Sequence, residues 1–479
     1  MDLSVYITKT VPFKFRGINL SFDLSQGLFS CADIDYGTRL LLKVFSKALD
    51  QGLITQWPIA QDAAEEKASA CSVLDAGCGV GVIGICAAAA LMAMEGAKNS
   101  LTVRTQDRDE LARLFTAHNA KKNRIPQEVL QAFCEPLLAG PQNKFWDLIF
   151  CNIPAKAGLP VLEDFVSRSL ALLNSGGKVI IVVVHTLDDF FRRHIIRSEA
   201  EIFLEEKSPE YSVFVYGKKT GAPVSNAANQ IDEEKFAPIK TGEGFFESYP
   251  FYARTFVESA LCDIPLKIKS IHGAPGFDSP GGKTEAAVKL IHRTGLEKLN
   301  LVHNKAAARM LVHEPDQGFF HCWLLELLCR EFPCKALPSL VLSGRNILAL
   351  EAARHNTGYV TGHKNARPEI SIELIPAAGL WPVYENLQKA ANNGPPHQYD
   401  FIAAFPEFIQ QSLLPKKIDP YSAFWEPLPK LLTAGGAFIC AFSSVNAERF
   451  DRVKPAGFKR LGDIKRKGFR ALGYVRIEN

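Results

Sequence analysis

Three groups of residues in this 479-residue chain have the types and spacing to do chemistry. The first is Val73-Leu74-Asp75-Ala76-Gly77-Cys78-Gly79-Val80-Gly81, an apolar run that ends in an acid and then carries glycine at alternate positions. Glycine has no Cβ, so such a turn bends sharply and lets a ligand approach the backbone. The second is Asp107, which ends the run Ser100–Asp107. A carboxylate at the end of the next strand can accept hydrogen bonds from both hydroxyls of a ribose. The third is Asn152-Ile153-Pro154. An asparagine carbonyl oxygen accepts from the N–H of an exocyclic amine and so steers its lone pair. The chemistry these groups suit is displacement at a ligand held by the first two. Positioning and electrostatics carry most of the rate of such a step.

Each group needs a strand end to hold it. The apolar run before Asp75 reads as a buried strand and Ile83–Ala90 as the helix after the turn. Asp109 and Glu110 compete with Asp107 for the ribose. They suit the first turn of a helix over Asp109–Lys122, where acids favour the dipole, so Asp107 is preferred. A short strand follows near Val129–Phe133, then a buried strand over Phe145–Cys151. Phe165–Leu173 has the apolar spacing of a helix, closed by Gly176-Gly177, and Val179–Val184 is a fifth strand. Asp188–Ile196 is a further helix. Tyr211–Tyr216 alternates as a last strand, its tyrosines read as packing. Upstream, residues from Met1 to Ser21 alternate as short strands. Strands alternating with helices predict a doubly wound α/β domain with its ligand at the carboxyl ends of the strands.

The Gly-x-Gly-x-Gly spacing differs from the dinucleotide fingerprint Gly-x-Gly-x-x-Gly. It resembles motif I of the class I S-adenosylmethionine (SAM) methyltransferases. Other pieces fall in the same order: Gly27-Leu28-Phe29-Ser30, Asp35-Tyr36-Gly37-Thr38, Asp107, Asn152-x-Pro154 with Lys156-Ala157-Gly158, and Leu173-Asn174-Ser175-Gly176-Gly177-Lys178. Together they resemble the small-subunit methyltransferase C type of ribosomal RNA guanine methyltransferase and its single-domain relatives. The likeness covers about Gly17 to Lys219. It implies SAM as cofactor and the exocyclic amine of a guanine in ribosomal RNA as acceptor. On the matching positions it implies that Phe29, Ser30, Thr38, Asp75, Gly77, Gly79, Gly81 and Asp107 bind the cofactor. Asn152 and Pro154 would hold the amine, Asn152 beside the cofactor as well. Cys134 and Glu135 fall where an adenine edge would be contacted, or form an exposed turn. The family's loop reads Asn-Pro-Pro and then a large residue. Here Ile153 replaces the first proline and Ala155 stands where a base-stacking ring often sits, and neither stacks a base well. Lys156 is open to two readings, a phosphate contact or a solvated loop lysine.

Thr220–Glu234 is polar and turn-rich, as linkers are. The expected division is a methyltransferase domain over 1–219, a connecting region over 220–300, and a methyltransferase-like domain over 301–479. Gly281-Gly282-Lys283-Thr284 lacks the spacing of a phosphate loop. Gly276-Phe277-Asp278-Ser279 followed by Thr284 instead echoes Gly27–Ser30 followed by Thr38, with Gln317-Gly318-Phe319-Phe320 as a rival. Further on, Leu340–Asn346 is placed at motif I, Ile347–His355 at its helix and Tyr359–Gly362 at the second strand. Tyr399–Pro406 parallels Trp146–Phe150, and Leu431–Ile439 parallels Leu172–Ile180, a repeat at domain scale. In that alignment Ser343 replaces Asp75, so the fold class expected is two Rossmann-like methyltransferase domains in tandem, the C-terminal one degenerate. The tail from Arg452 to Arg476 mixes cations with Phe458, Phe469 and Tyr474. It suits an RNA backbone or a solvated face.

Bulk composition narrows the class. A charged fraction of 22% and a hydrophobic fraction of 47% suit a globular protein. The net charge of +4 does not by itself imply nucleic acid. Eleven cysteines without a Cys-x-x-Cys pair argue against zinc ribbons and for a reducing, cytoplasmic compartment. No metal site, secretory signal or membrane span is expected. Two rival functions remain: a methyltransferase for a protein amide or small molecule, and a non-catalytic RNA-binding protein retaining SAM affinity.

Overall fold

The computed structural model describes residues 3–54, 71–94, 101–140, 145–219, 244–299, 301, 308–332, 337–360, 370–391 and 396–477. The chain forms two compact units, 6–252 and 253–479, the latter joined by the first five residues. The polar stretch Thr220–Glu234 lies outside the described residues.

The N-terminal unit opens with an antiparallel hairpin, β1 (Lys9–Phe15) and β2 (Ile18–Leu24). A helix over Tyr36–Asp50 follows, then β3 (Cys71–Ala76), β4 (Leu101–Asp107), β5 (Leu130–Cys134), β6 (Trp146–Asn152), β7 (Leu173–Val184), β8 (Ala200–Lys207) and β9 (Tyr211–Lys218). These make a seven-stranded sheet in the order β5-β4-β3-β6-β7-β9-β8. The first five are parallel, and β9 and β8 close it antiparallel. The order reverses between β3 and β6, which puts the crevice for a ligand at the carboxyl end of β3. The helix Val82–Met92 is buried from Val82 to Leu91, so its small side chains are sandwiched rather than amphipathic. The ring of Phe45 meets Phe150 edge-on at 4.9 Å, packing the first helix against β6. Asp23, only 6% exposed, ties the hairpin to the helix Glu110–Lys122. It bonds His118 Nε2 at 2.7 Å, and the Asn119 side-chain amide bridges the Asp23 and Val80 carbonyls.

The C-terminal unit repeats this plan. Its hairpin is β10 (Ala253–Leu261) and β11 (Ile264–Ile271), followed by a helix over Gly282–Thr294. Its strands are β12 (Arg309–His313), β13 (Ser339–Gly344), β14 (Ile372–Pro376), β15 (Tyr399–Ala404), β16 (Leu432–Ser443), β17 (Phe458–Arg466) and β18 (Phe469–Arg476). They lie in the order β14-β13-β12-β15-β16-β18-β17, position for position that of the first sheet. Gly276–Ser279 sits between hairpin and first helix, as the pre-motif loop reading expects.

The register corrects the sequence alignment of this half by one strand and helix. Asp75 lies level with Thr105 and Phe150, and Val312 lies level with Leu342 and Ala403. The motif I strand is therefore β12, and Leu340–Asn346 supplies the second strand instead. Tyr359 and Val360 follow the helix Ile347–Thr357 as a turn, and 361–362 lie outside the described residues. The reason is that the turn after β12 reads Glu314-Pro315-Asp316-Gln317-Gly318, with one glycine where the first unit has three. The backbone is nevertheless alike: φ is +58°, +50° and +102° at Glu314, Asp316 and Gly318, against +81°, +56° and +88° at Gly77, Gly79 and Gly81. The stretch expected as a connecting region is structured from Gly244 to Leu299.

Candidate active site

The carboxyl edge of the first sheet gathers the chemistry. Gly77 N donates to Gln106 O at 2.8 Å, which starts the turn from β3. All three turn glycines have positive φ, a region that L side chains occupy at a cost. A Cβ on Gly79 would meet nothing within 4 Å, and one on Gly77 only Leu137 Cδ2 at 3.7 Å. The space over these two glycines is thus open, the cradle a ligand needs. Gly81 begins the helix Val82–Met92, whose N-terminal amides favour an anionic group.

Asp107 ends β4 level with this turn. Its Oδ2 accepts from Gly79 N at 3.0 Å and its Oδ1 from Asp109 N at 3.0 Å. Burial, then the neighbouring Asp109 charge, hold its pKa above the usual carboxylate range. Asp109 caps the following helix by accepting from Leu111 N, and Glu110 is clamped by Arg113.

Asp75 is fully buried under the turn. Its Oδ2 accepts from Gly84 N at 2.8 Å, while Oδ1 has no hydrogen-bond partner. Burial pushes its pKa up to about 7. An orphaned carboxylate oxygen beneath an open glycine cradle suits a cationic ligand group above it.

Asn152 closes the site from β6. Its Nδ2 donates to Thr38 Oγ1 at 3.1 Å and to Asp35 Oδ1 at 3.2 Å. Asp35 is the cap of the helix Tyr36–Asp50: its Oδ1 accepts from Thr38 N, and its Oδ2 from Thr38 Oγ1 and Ser30 Oγ. With the amide nitrogen spent on these acceptors, the Asn152 carbonyl oxygen is the group left to receive an amine. Ser30, Thr38 and Asn152 are thus brought together through Asp35. Asp35 is a site residue that the family motifs do not single out. Its signal was an Asp three positions before a Thr at a helix start, a capping pattern.

The other expected residues sit as follows. Phe29 is 69% exposed in the loop before Ser30, which takes φ of +61°. Pro154 O accepts from Ala157 N at 2.9 Å in a turn, Ile153 is buried, and Ala155 and Lys156 are exposed. Glu135 forms an ion pair with Arg104 at 2.6 Å, and the Arg104 guanidinium lies 3.6 Å over the Phe133 ring. Cys134 Sγ donates to Arg108 O at 3.7 Å. Both side chains thus have partners within the unit. In the C-terminal unit, Arg466 and Lys467 pair with Glu285, Arg470 with Asp463 and Arg460 with Asp451.

Strand order, glycine turn and edge carboxylates define a class I methyltransferase fold. Residues 19–192 match the methyltransferase small domain. A stretch of 172 residues is 30% identical to ribosomal RNA small subunit methyltransferase C of Actinobacillus pleuropneumoniae serotype 3 (strain JL03). It covers 35% of this chain and 44% of that protein. Another of 176 residues is 25% identical to protein YbxB of Bacillus subtilis (strain 168), covering 36% of this chain and 74% of that one. Among solved structures, the 16S rRNA N2 G1207 methyltransferase of T. thermophilus superposes over 100% of both chains with a TM-score of 0.53 at 13% identity, a likeness of fold.

Proposed function

We propose that the N-terminal unit methylates the exocyclic amine of a guanine in ribosomal RNA, with SAM as donor. The observation that carries this reading is the Asn152 amide, whose nitrogen is held by Asp35 and Thr38 beside the open glycine cradle. When bound, SAM supplies a methyl group on a sulfonium. Gly77 and Gly79 leave room for it, Asp107 would receive the ribose hydroxyls, and the buried Asp75 carboxyl would act on its positive charge from below the turn. Asn152 accepts one N–H of the amine through Oδ1 and aims the lone pair along the line of displacement. The methylated amine then gives its extra proton to water. The similarity to a ribosomal RNA methyltransferase over 172 residues supports RNA as the acceptor.

The C-terminal unit keeps the turn but not the chemistry. Val312 stands at the position of Asp75, Gly344 at that of Asp107 and Phe405 at that of Asn152. Glu314 Oε1 accepts from Arg345 N at 3.0 Å, and Lys283 Nζ donates to Phe405 O at 3.0 Å. Side chains therefore occupy the ground a cofactor would need, and this unit serves to bind RNA. Lys459 and Lys465 are exposed there, whereas most cations around them already face acids.

Transfer of labelled methyl from SAM into total RNA tests the reading. Label is expected in RNA with the native protein and is expected to be lost with Asn152→Ala while SAM still binds. Label that goes to protein and survives RNase would overturn the RNA acceptor.

A further inference from the structure

The loop that should present a ring to the acceptor base has none: Ile153 is buried, and Ala155 has only a methyl group. An exposed ring stands beside Asp35 instead. Tyr36 directly follows Asp35, the residue that holds Asn152, and its side chain is 54% exposed. Its ring lies 6.1 Å from that of Tyr211 at 44°. Tyr211 comes from the start of β9 and packs close against the helix terminus: a Cβ on Gly37 would lie 3.0 Å from its Cε1. The two rings are too close and too tilted to admit a base between them, because a base needs about 3.5 Å on each face. The outward face of Tyr36 is the one available.

We infer that Tyr36, buttressed by Tyr211, is the platform on which the acceptor base stacks when its amine reaches Asn152. The ligand class is a purine or pyrimidine ring carrying an exocyclic amine. A single ring supplies stacking without reading sequence, since every base has a π-face. Recognition of the amine itself falls to Asn152, which donates to Asp35, the chain neighbour of Tyr36. Tyr211 also fixes the ring, because its own position is set by β-sheet pairing with Val184 rather than by a loop. This inference rests on the amine-methylation reading above.

The test separates binding from turnover. The full-length protein, loaded with S-adenosylhomocysteine, is titrated with a fluorescent guanine-containing RNA oligonucleotide. Tyr36→Ala is expected to weaken oligonucleotide binding by about 5- to 100-fold, the worth of one stacked base. Its affinity for S-adenosylhomocysteine should stay within about twofold. Tyr36→Phe should bind as the native protein does, because it keeps the ring. In turnover, Tyr36→Ala should raise KM with kcat little changed. Native-like oligonucleotide binding by Tyr36→Ala, a Tyr36→Phe variant no better than Tyr36→Ala, or a native protein that does not bind the oligonucleotide would overturn the inference. Ring-dependent binding without methyl transfer to RNA would leave the platform standing and sink the amine-methylation reading. Transfer to RNA with an unchanged KM in Tyr36→Ala would do the reverse.

Discussion

Asn152 and Asp75 show how much of the site lies in single side chains. On the proposed reading Asn152 aligns the amine through its carbonyl oxygen, so Asn152→Ala is expected to lower kcat by about 100-fold or more while leaving SAM affinity nearly unchanged. Single-turnover transfer and calorimetry would read the two effects separately. Asp75 acts in the opposite sense on stability. Burial holds its pKa at about 7, well above the ordinary carboxylate range. Between that range and this value the unfolded chain is ionised while the folded one holds a proton, so the fold loses stability as pH rises, and the loss is complete above about 7. Asp75→Asn removes that titration. It should gain about 1–2 kcal/mol over the native protein at pH 8 and little at pH 4. Urea melts at the two pH values check it; a difference that does not grow with pH would show that the carboxyl is not buried as described.

At the scale of the element, the turn from β3 separates two uses of glycine. Gly79 has open space where a Cβ would point, whereas a Cβ on Gly81 would come within 2.8 Å of Thr116 Cγ2. Gly79→Asp should therefore fold, at a cost of about 1 kcal/mol for the left-handed residue, yet lose SAM binding. Asp316 in the second unit already occupies the equivalent position with φ of +50°. Gly81→Ala should instead lower stability by about 2 kcal/mol or more through the clash. Thermal melts with and without SAM distinguish the two. This element was also the most legible in the sequence. Acid, alternate glycines and a small-residue helix announced strand, turn and helix, and the ends of β4 and β6 followed from Asp107 and Asn152. Asp35 was harder to see, because a capping residue and an active-site anchor are the same residue type at the same place. Glu135 was harder still: its partner Arg104 lies on a neighbouring strand, and no local pattern reports a cross-strand ion pair.

The whole molecule pairs two sheets of identical strand order whose edges differ in chemistry. One cofactor site per chain is expected, and calorimetric stoichiometry near one SAM per chain checks it; a value near two would show that the C-terminal turn also binds. Duplication was legible where sequence followed structure, as in Leu431–Ile439 against Leu172–Ile180. The offset at β12 was not, because its turn had lost the glycines by which the eye finds motif I. The hydrogen bond from Glu314 N to Ser343 O, 2.7 Å, repeats that from Gly77 N to Gln106 O and holds the same bend without them.

The buried carboxyl of Asp75 predicts that the cofactor's arrival is a protonic event. Near neutral pH that carboxyl is shared between its charged and uncharged forms. A cationic cofactor bound in the turn would favour the charged form, so each SAM bound at pH 7 should expel a fraction of a proton into solution. The apparent heat of binding should then vary with the ionisation enthalpy of the buffer, and Asp75→Asn should abolish that variation. Affinity for the methyl donor, and with it the readiness of the enzyme, would rise and fall with the acidity of its surroundings.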